Sequence, residues 1–412
     1  MSEEQHKIPK EPGLDHTLEL LKEGYHFIVN RANKFDSRVI QTRLLGEKAI
    51  CLIGKEEAEL FYDNSRFFRQ EVAPSIVQKT LLGVGGVQGL DGEEHRHRKA
   101  MFMAFMTEAS LEEVQSLAKK EWKRLLENSN DEIKIYDAAQ IVLTRVALRW
   151  TGVPFKNDEA EDWASSLSPL FEMASNIGPK HLKSRWSRVQ LENKIEGLVK
   201  KIRDDSIRVD QTKALYHFSW HKDINGELLD PHVVAVEVLN LLRPIVAISV
   251  YVDLTLFAVY EHPEKADYAR QSHDNLQHFI QEVRRYYPFF PAAIARVKKD
   301  FTWKGYQFKE NTMTLLDLYG TNHDPSIWKK PHEFNPSRFK DWEGSPFDFI
   351  PQGGGEFDMG HRCAGEWITI DIMRVTLDYF LNDVEYVFPD QKSGFDMNDI
   401  PPISGVTLKI RG

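Results

Sequence analysis

The spacing of apolar and polar positions divides the chain into a short stretch with strand character and a long helical remainder. Apolar residues from Leu18 to Asn33 recur at helical spacing. Two short strands are predicted next, Val39–Leu45 and Ala49–Ile53, with Gly46-Glu47 as their turn. Amphipathic helices then take over. Leu111, Val114, Leu117, Ala118, Trp122, Leu125 and Leu126 share one face, and Glu and Lys hold the other. Asp131–Trp150, Glu159–Ala174 and Arg188–Arg208 repeat that pattern, and His232–Glu261 reads as one long helix between Pro231 and Pro263. Strand signals return at Phe301–Trp303, Tyr306–Phe308 and Gly405–Ile410, and a last helical run covers Trp367–Phe380. No repeat, low-complexity linker or shift in composition breaks the chain. The expectation is a mainly α fold with a minor β region, a single domain over residues 1–412.

The most apolar stretch, Leu241 to Tyr260, contains Arg243, Pro244 and Asp253, each costly in hydrocarbon. It therefore predicts a buried core helix and no membrane span. The first ten residues carry neither a basic segment nor an apolar run, so no signal peptide is expected. With 53 basic and 62 acidic residues the net charge is −9, which gives no basic excess to recruit nucleic acid. Two cysteines in 412 residues exclude a disulfide scaffold and favour a reducing compartment, so a cytoplasmic enzyme is expected.

Several chemical signatures fail. Gly83-Val-Gly85-Gly86-Val-Gln88 approaches a dinucleotide loop but breaks at its last position, and no phosphate loop or nucleophile elbow occurs. His95 and His97 lie two apart, a spacing unsuited to a shared zinc on a helix. One constellation holds. Gly353-Gly354-Gly355 through Gly360-His361-Arg362-Cys363-Ala364-Gly365 brings a lone cysteine to the start of a helix. A thiolate there receives loop N–H groups and the positive end of the helix dipole, though a packed cysteine in a tight turn would look alike. Cys51, inside a predicted strand, reads as a small buried hydrophobe. Glu282 and Arg285 stand at i and i+3 of a helix, and Arg338 follows in Pro336-Ser-Arg338-Phe339. A Glu–Arg pair of this kind is either a surface salt bridge or a lock for an arginine from another loop.

Those three features, which follow one another along the chain as the Glu282–Arg285 pair, the Arg338 segment and the cysteine loop, resemble the cytochrome P450 superfamily over essentially the whole chain. The resemblance implies haem b with Cys363 as the thiolate ligand of its iron, and a structural role for Glu282, Arg285 and Arg338. It also implies that His361, His95, Lys99 and Arg69 offset the acidic groups of the haem. His95 stands where the family usually has tryptophan, and Lys99 where it usually has arginine.

One departure sharpens the reading. Where the superfamily carries an acid–alcohol pair for proton delivery, the long helix has Leu242-Arg243-Pro244-Ile245. A buried arginine must meet an anion, either a protein carboxylate or that of a substrate. Arg-Pro here, with Gln-Glu-Val-Arg-Arg-Tyr-Tyr-Pro and Pro-Gln-Gly-Gly-Gly, resembles the fatty-acid peroxygenase branch. That likeness implies hydrogen peroxide as oxidant, long-chain fatty acids as substrates, hydroxylation at the α or β carbon, and no obligatory reductase. Arg243 would anchor the carboxylate, with Pro244 beside it. Gln88 stands where alkene-forming relatives carry histidine, so hydroxylation is expected to dominate over decarboxylation to terminal alkenes. Phe289 and Phe290 are expected either to line the alkyl channel or to pack in the core. A decarboxylase or a reductase-dependent monooxygenase of the same fold stays open at this point.

Overall fold

The computed structural model describes residues 6–127, 132–173 and 179–411. Its axis is the helix Pro231–Glu261, with Pro231 in the first turn, where a missing N–H costs nothing, and the Asp230 side chain accepting from His232 N–H. Nearly every residue from Val234 to Val259 is buried. The helix passes the membrane-span length test, yet 89% of its apolar window lies inside the protein. It is a core helix, as its charged and proline positions predict. Helices Ile135–Thr151, Pro179–Arg203 and Glu366–Asn382 pack around it, and their buried residues form one apolar cluster with it.

The strands make three small sheets, β1 (Val39–Leu44), β2 (Glu47–Leu52), β3 (Phe67–Phe68), β4 (Glu132–Lys134), β5 (Ala292–Val297), β6 (Phe301–Trp303), β7 (Tyr306–Phe308), β8 (Met313–Asp317), β9 (Tyr386–Val387) and β10 (Thr407–Ile410). The largest runs β1-β2-β8-β5-β3, with β2 and β8 parallel and the other neighbours antiparallel. Cys51 lies in β2 opposite Leu315 of β8, fully buried, and burial pushes its thiol up to about 12. It is the inert hydrophobe its position predicts.

Several predicted boundaries shift for local reasons. The run from Leu18 to Asn33 divides into Thr17–Glu23 and Phe27–Phe35 because Gly24, with φ 53°, ends the first helix. The segment predicted from Asp131 begins as β4, paired with β10, before the helix starts at Ile135. Glu159–Ala174 breaks into Ala160–Leu167 and Pro169–Glu172, with Pro169 opening the second piece. Its end, Ala174, lies outside the described residues, as does Asp131. The helix predicted from Arg188 starts earlier, at Pro179, and ends at Arg203.

One carboxyl in the central helix is a stability switch. Asp253 Oδ2 accepts from Ser404 N–H at 2.6 Å, Oδ1 has no partner among the described residues, and burial pushes the group up to about 7. The unfolded chain ionises it near its ordinary 3.8, so stability contributed here falls as pH rises from about 4 to about 7. Asp253→Asn should therefore gain about 3 kcal/mol more over the parent at pH 8 than at pH 5, about 1.4 kcal/mol for each of the two units between pH 5 and about 7. Urea denaturation at both values checks this, and an equal difference at the two would contradict it.

Candidate active site

The cysteine loop closes against the start of the helix Glu366–Asn382. Gly353 and Gly355 adopt φ of 90° and 81°, which only glycine takes without strain. Gly355 also lies so close to Tyr62 that a Cβ would come within 3.2 Å of its ring. The glycines are thus required by the loop's own path as well as by anything lying beside it. Cys363 N–H donates to Gln352 O, and the Gly365 N–H favours the thiolate. Burial nevertheless dominates and pushes the thiol up, against the pull of Lys99 and Arg284.

A brace invisible to motif reading fixes this loop. Arg284 donates to Glu366 in a short contact and to Gln352 at 3.0 Å, and Arg362 donates to Glu366 at 2.5 Å. Gln352 in turn points its NH2 at Thr369 Oγ1, at 3.0 Å, and at Cys363 Sγ, at 3.9 Å. The signal was present in Arg284, the first arginine of Glu282-Val-Arg284-Arg285, but its partner lies 82 residues away. Lys99 belongs to the same brace. Its ammonium donates to the carbonyls of Phe357, Gly360 and Arg362, so it grips the cysteine loop itself.

The other three residues expected beside the haem's acidic groups do come together. His95 and His361 stack with ring centroids 3.9 Å apart, and His361 Nε2 lies 3.3 Å from Asp91. Burial, then the charges of His361 and Lys99, push His95 down to about 3, so at neutral pH it offers a ring N–H and no charge. Arg69 is buried, and among the described residues its guanidinium donates to Asn64 Oδ1 and Phe61 O alone.

Glu282 is fully buried and takes both Arg285 contacts, at 2.7 and 2.8 Å, and Arg338 at 3.1 Å. It also accepts from Asn335 N–H at 2.8 Å. The spacing read from the sequence thus describes a buried lock on the 335–338 loop, not a surface pair.

Arg243 stands in the central helix with 5% of its surface exposed, and its Nε has no acceptor among the described residues. No carboxylate of those residues pairs with it, whereas Arg188 holds Glu192 at 2.6 Å and Arg98 holds Glu237 at 2.8 Å. Burial and the Arg188 charge push Arg243 down to about 9, and the Cys363 sulfur is near enough to oppose them. The helix runs unbroken through Pro244, which removes one N–H from its ladder just beyond Arg243. Phe289 packs on Tyr251 at 4.7 Å and on the main core, while Phe290 is 38% exposed. Gln88 sits in the turn Val87–Gly89, touching Asn240 of the central helix.

Comparison with known proteins agrees with this geometry. Residues 269–409 match the cytochrome P450 family. The solved structure of cytochrome P450EX alpha (CYP152N1) with myristic acid is 48% identical, covers 98% of both chains and superposes with a TM-score of 0.95. The chain belongs to the cytochrome P450 family. Cytochrome P450SP alpha (CYP152B1) in complex with (R)-ibuprophen is 43% identical, covering 96% of this chain and 98% of that one, with a TM-score of 0.94. A variant of cytochrome P450 OleT in complex with arachidonic acid is 36% identical over 98% of this chain and 97% of that one, at 0.94. Cytochrome P450 736A117 of Prunus mume is 28% identical over 137 residues, which is 32% of this chain and only 26% of that protein. The mainly α P450 fold expected from the sequence is thereby borne out.

This family carries a haem iron bound by a cysteine thiolate. The residues present fit such a group. A Cβ added at Gly365 would meet nothing nearer than Cys363 Sγ at 4.0 Å, so space opens beside the sulfur. Two buried guanidiniums, of Arg69 and Arg243, face no carboxylate in a hydrogen bond among the described residues.

The Glu282 lock gives a direct test. Glu282→Ala would leave the buried Arg285 and the partly buried Arg338 without their carboxylate and should destabilise the fold by about 3–5 kcal/mol. Denaturant titration measures this, and a loss below about 1 kcal/mol would show the lock to be marginal.

Proposed function

We propose that this protein is a peroxygenase that uses hydrogen peroxide to hydroxylate long-chain fatty acids at the α or β carbon, with some decarboxylation to terminal alkenes. The observation that carries the reading is Arg243, a buried cation with no counter-ion among the described residues, near the cysteine loop. Only an incoming anion completes it, and a fatty-acid carboxylate supplies that anion with two oxygens matched to the guanidinium. The solved relatives with myristic and arachidonic acid support the substrate class.

Haem b, held by Cys363, would supply the oxidising chemistry when bound. The protein's own contribution is placement. Arg243 holds the carboxylate, so the first carbons of the chain are the ones brought near the reacting centre. The helix offers no acid–alcohol pair, since Arg243 and Pro244 occupy that stretch. The bound carboxylate takes a proton from one peroxide oxygen and returns it to the other. Hydroxylation then balances as C–H plus hydrogen peroxide giving C–OH plus water. Decarboxylation balances as acid plus hydrogen peroxide giving alkene, carbon dioxide and two waters. Gln88 carries no acidic proton, which favours the first outcome. Arg69, His95 and His361 would hold the acidic groups of the haem, with Lys99 reassigned to the cysteine loop it grips. Phe289 would line the alkyl path, and the exposed Phe290 its rim. The reading needs no reductase, and it takes residues 1–412 as one catalytic domain working in the cytoplasm.

Myristate and peroxide, given to the purified holoprotein without reductant, should yield 2- or 3-hydroxymyristate by mass spectrometry. Arg243→Ala should lower that yield by about 100-fold, the worth of a charged bidentate contact. No hydroxy acid from the parent, or full yield from the variant, would refute the proposal.

A further inference from the structure

The helix Pro179–Arg203 packs one face on the central helix and leaves the other outward. Ser184, Ser187, Arg188 and Leu191 face inward, and Arg188 donates to the carbonyls of Thr80 and Leu81 at 3.0 Å each. On the outer face Leu182 is 64% exposed, Trp186 66% and Val189 45%. These positions lie four and three residues apart, so the three side chains form one apolar stripe along the helix. Val84, also exposed, follows Gly83, which lies so close to Arg188 of the same helix that no Cβ would fit there.

Charge narrows what such a stripe can meet. The helix carries eight basic residues and two acidic ones, in a chain whose net charge is −9. No acidic residue occurs between Pro179 and Leu191. Lys183 and Arg185, both exposed, flank the stripe on its two sides. Long basic side chains in that position extend past the apolar centre and reach anions at its rim. The other exposed apolar pair on a helical segment, Leu14 and Leu18, stands among Asp15, Glu19 and Glu23 and has the opposite charge. Three or four apolar side chains also fall far short of the roughly 20–30 residues that one side of a stable protein interface supplies. A narrow apolar stripe with tryptophan at its centre and cations on both flanks matches the boundary between headgroups and acyl chains of a lipid surface.

We propose that the outer face of Pro179–Arg203 docks the protein on anionic lipid surfaces, with Leu182, Trp186 and Val189 entering the acyl boundary and Lys183 and Arg185 meeting the phosphates. The docking stands on this face alone. Its use, drawing long-chain acids from the lipid into the protein beside the helix that carries Arg188, rests on the peroxygenase reading above.

Cosedimentation of the holoprotein with lipid vesicles tests this. At low salt, phosphatidylcholine vesicles containing about one-third phosphatidylglycerol should bind the parent about tenfold more tightly than pure phosphatidylcholine, and about 0.5 M salt should remove most of that difference. Trp186→Glu, and separately Lys183→Glu with Arg185→Glu, should each weaken binding to the anionic vesicles about tenfold, whereas Leu18→Glu should leave it unchanged. Hydroxylation of myristate in vesicle-free solution should be the same in all of them. No binding of the parent, equal binding to both lipids, or binding that survives both sets of substitutions would overturn the proposal. A parent that binds anionic vesicles but yields no hydroxymyristate would refute the peroxygenase reading and leave the docking face standing.

Discussion

Burying a guanidinium costs several kcal/mol unless an anion meets it, and Arg243 meets none among the described residues. Five other buried or nearly buried arginines, Arg31, Arg98, Arg188, Arg284 and Arg285, each have a carboxylate within 3 Å. The contrast is local and specific. An interior that neutralises those cations so closely leaves this one open, and a substrate carboxylate is the partner we propose for it. Arg69, which among the described residues donates to an amide and a backbone carbonyl alone, is the second cation left open to an anion.

The surrounding contacts make sense as devices that hold these two openings in place. Glu282 locks the 335–338 loop, and Glu366 ties the cysteine loop to Arg284 and Arg362. Lys99 ties the same loop to the helix Gly92–Met103, which also carries His95 and Arg98. Through Glu237, Arg98 reaches the central helix one and a half turns before Arg243. Both faces of the site are therefore referenced to one helix. Rigid references of this kind hold a substrate in one pose at small entropic cost.

Much of this was legible in the sequence, and the reason is spacing. The Pro-bounded central helix, the glycine-dense cysteine loop and the Glu282–Arg285 pair are all local patterns, fixed by helix geometry or by backbone that only glycine adopts. The unusual Arg243-Pro244 step is likewise local, and its charge in an apolar helix already demanded a partner. What escaped were contacts between distant segments. Nothing in the chain joins Arg98 to Glu237 across 139 residues, or Arg284 to Glu366 across 82. The grip of Lys99 on three carbonyls of the cysteine loop escaped for the same reason, because its partners lie more than 250 residues away. Helix ends slipped where one residue decided them, as at Gly24 and Pro169.

The central claim concerns one ion and where its partner comes from. The most direct test is a crystal structure of the haem-loaded protein with myristate bound. The account predicts both carboxylate oxygens within hydrogen-bonding distance of the Arg243 guanidinium, with no protein carboxylate in contact with it. A carboxylate bound elsewhere, with Arg243 paired to an acidic side chain of the protein, would contradict it.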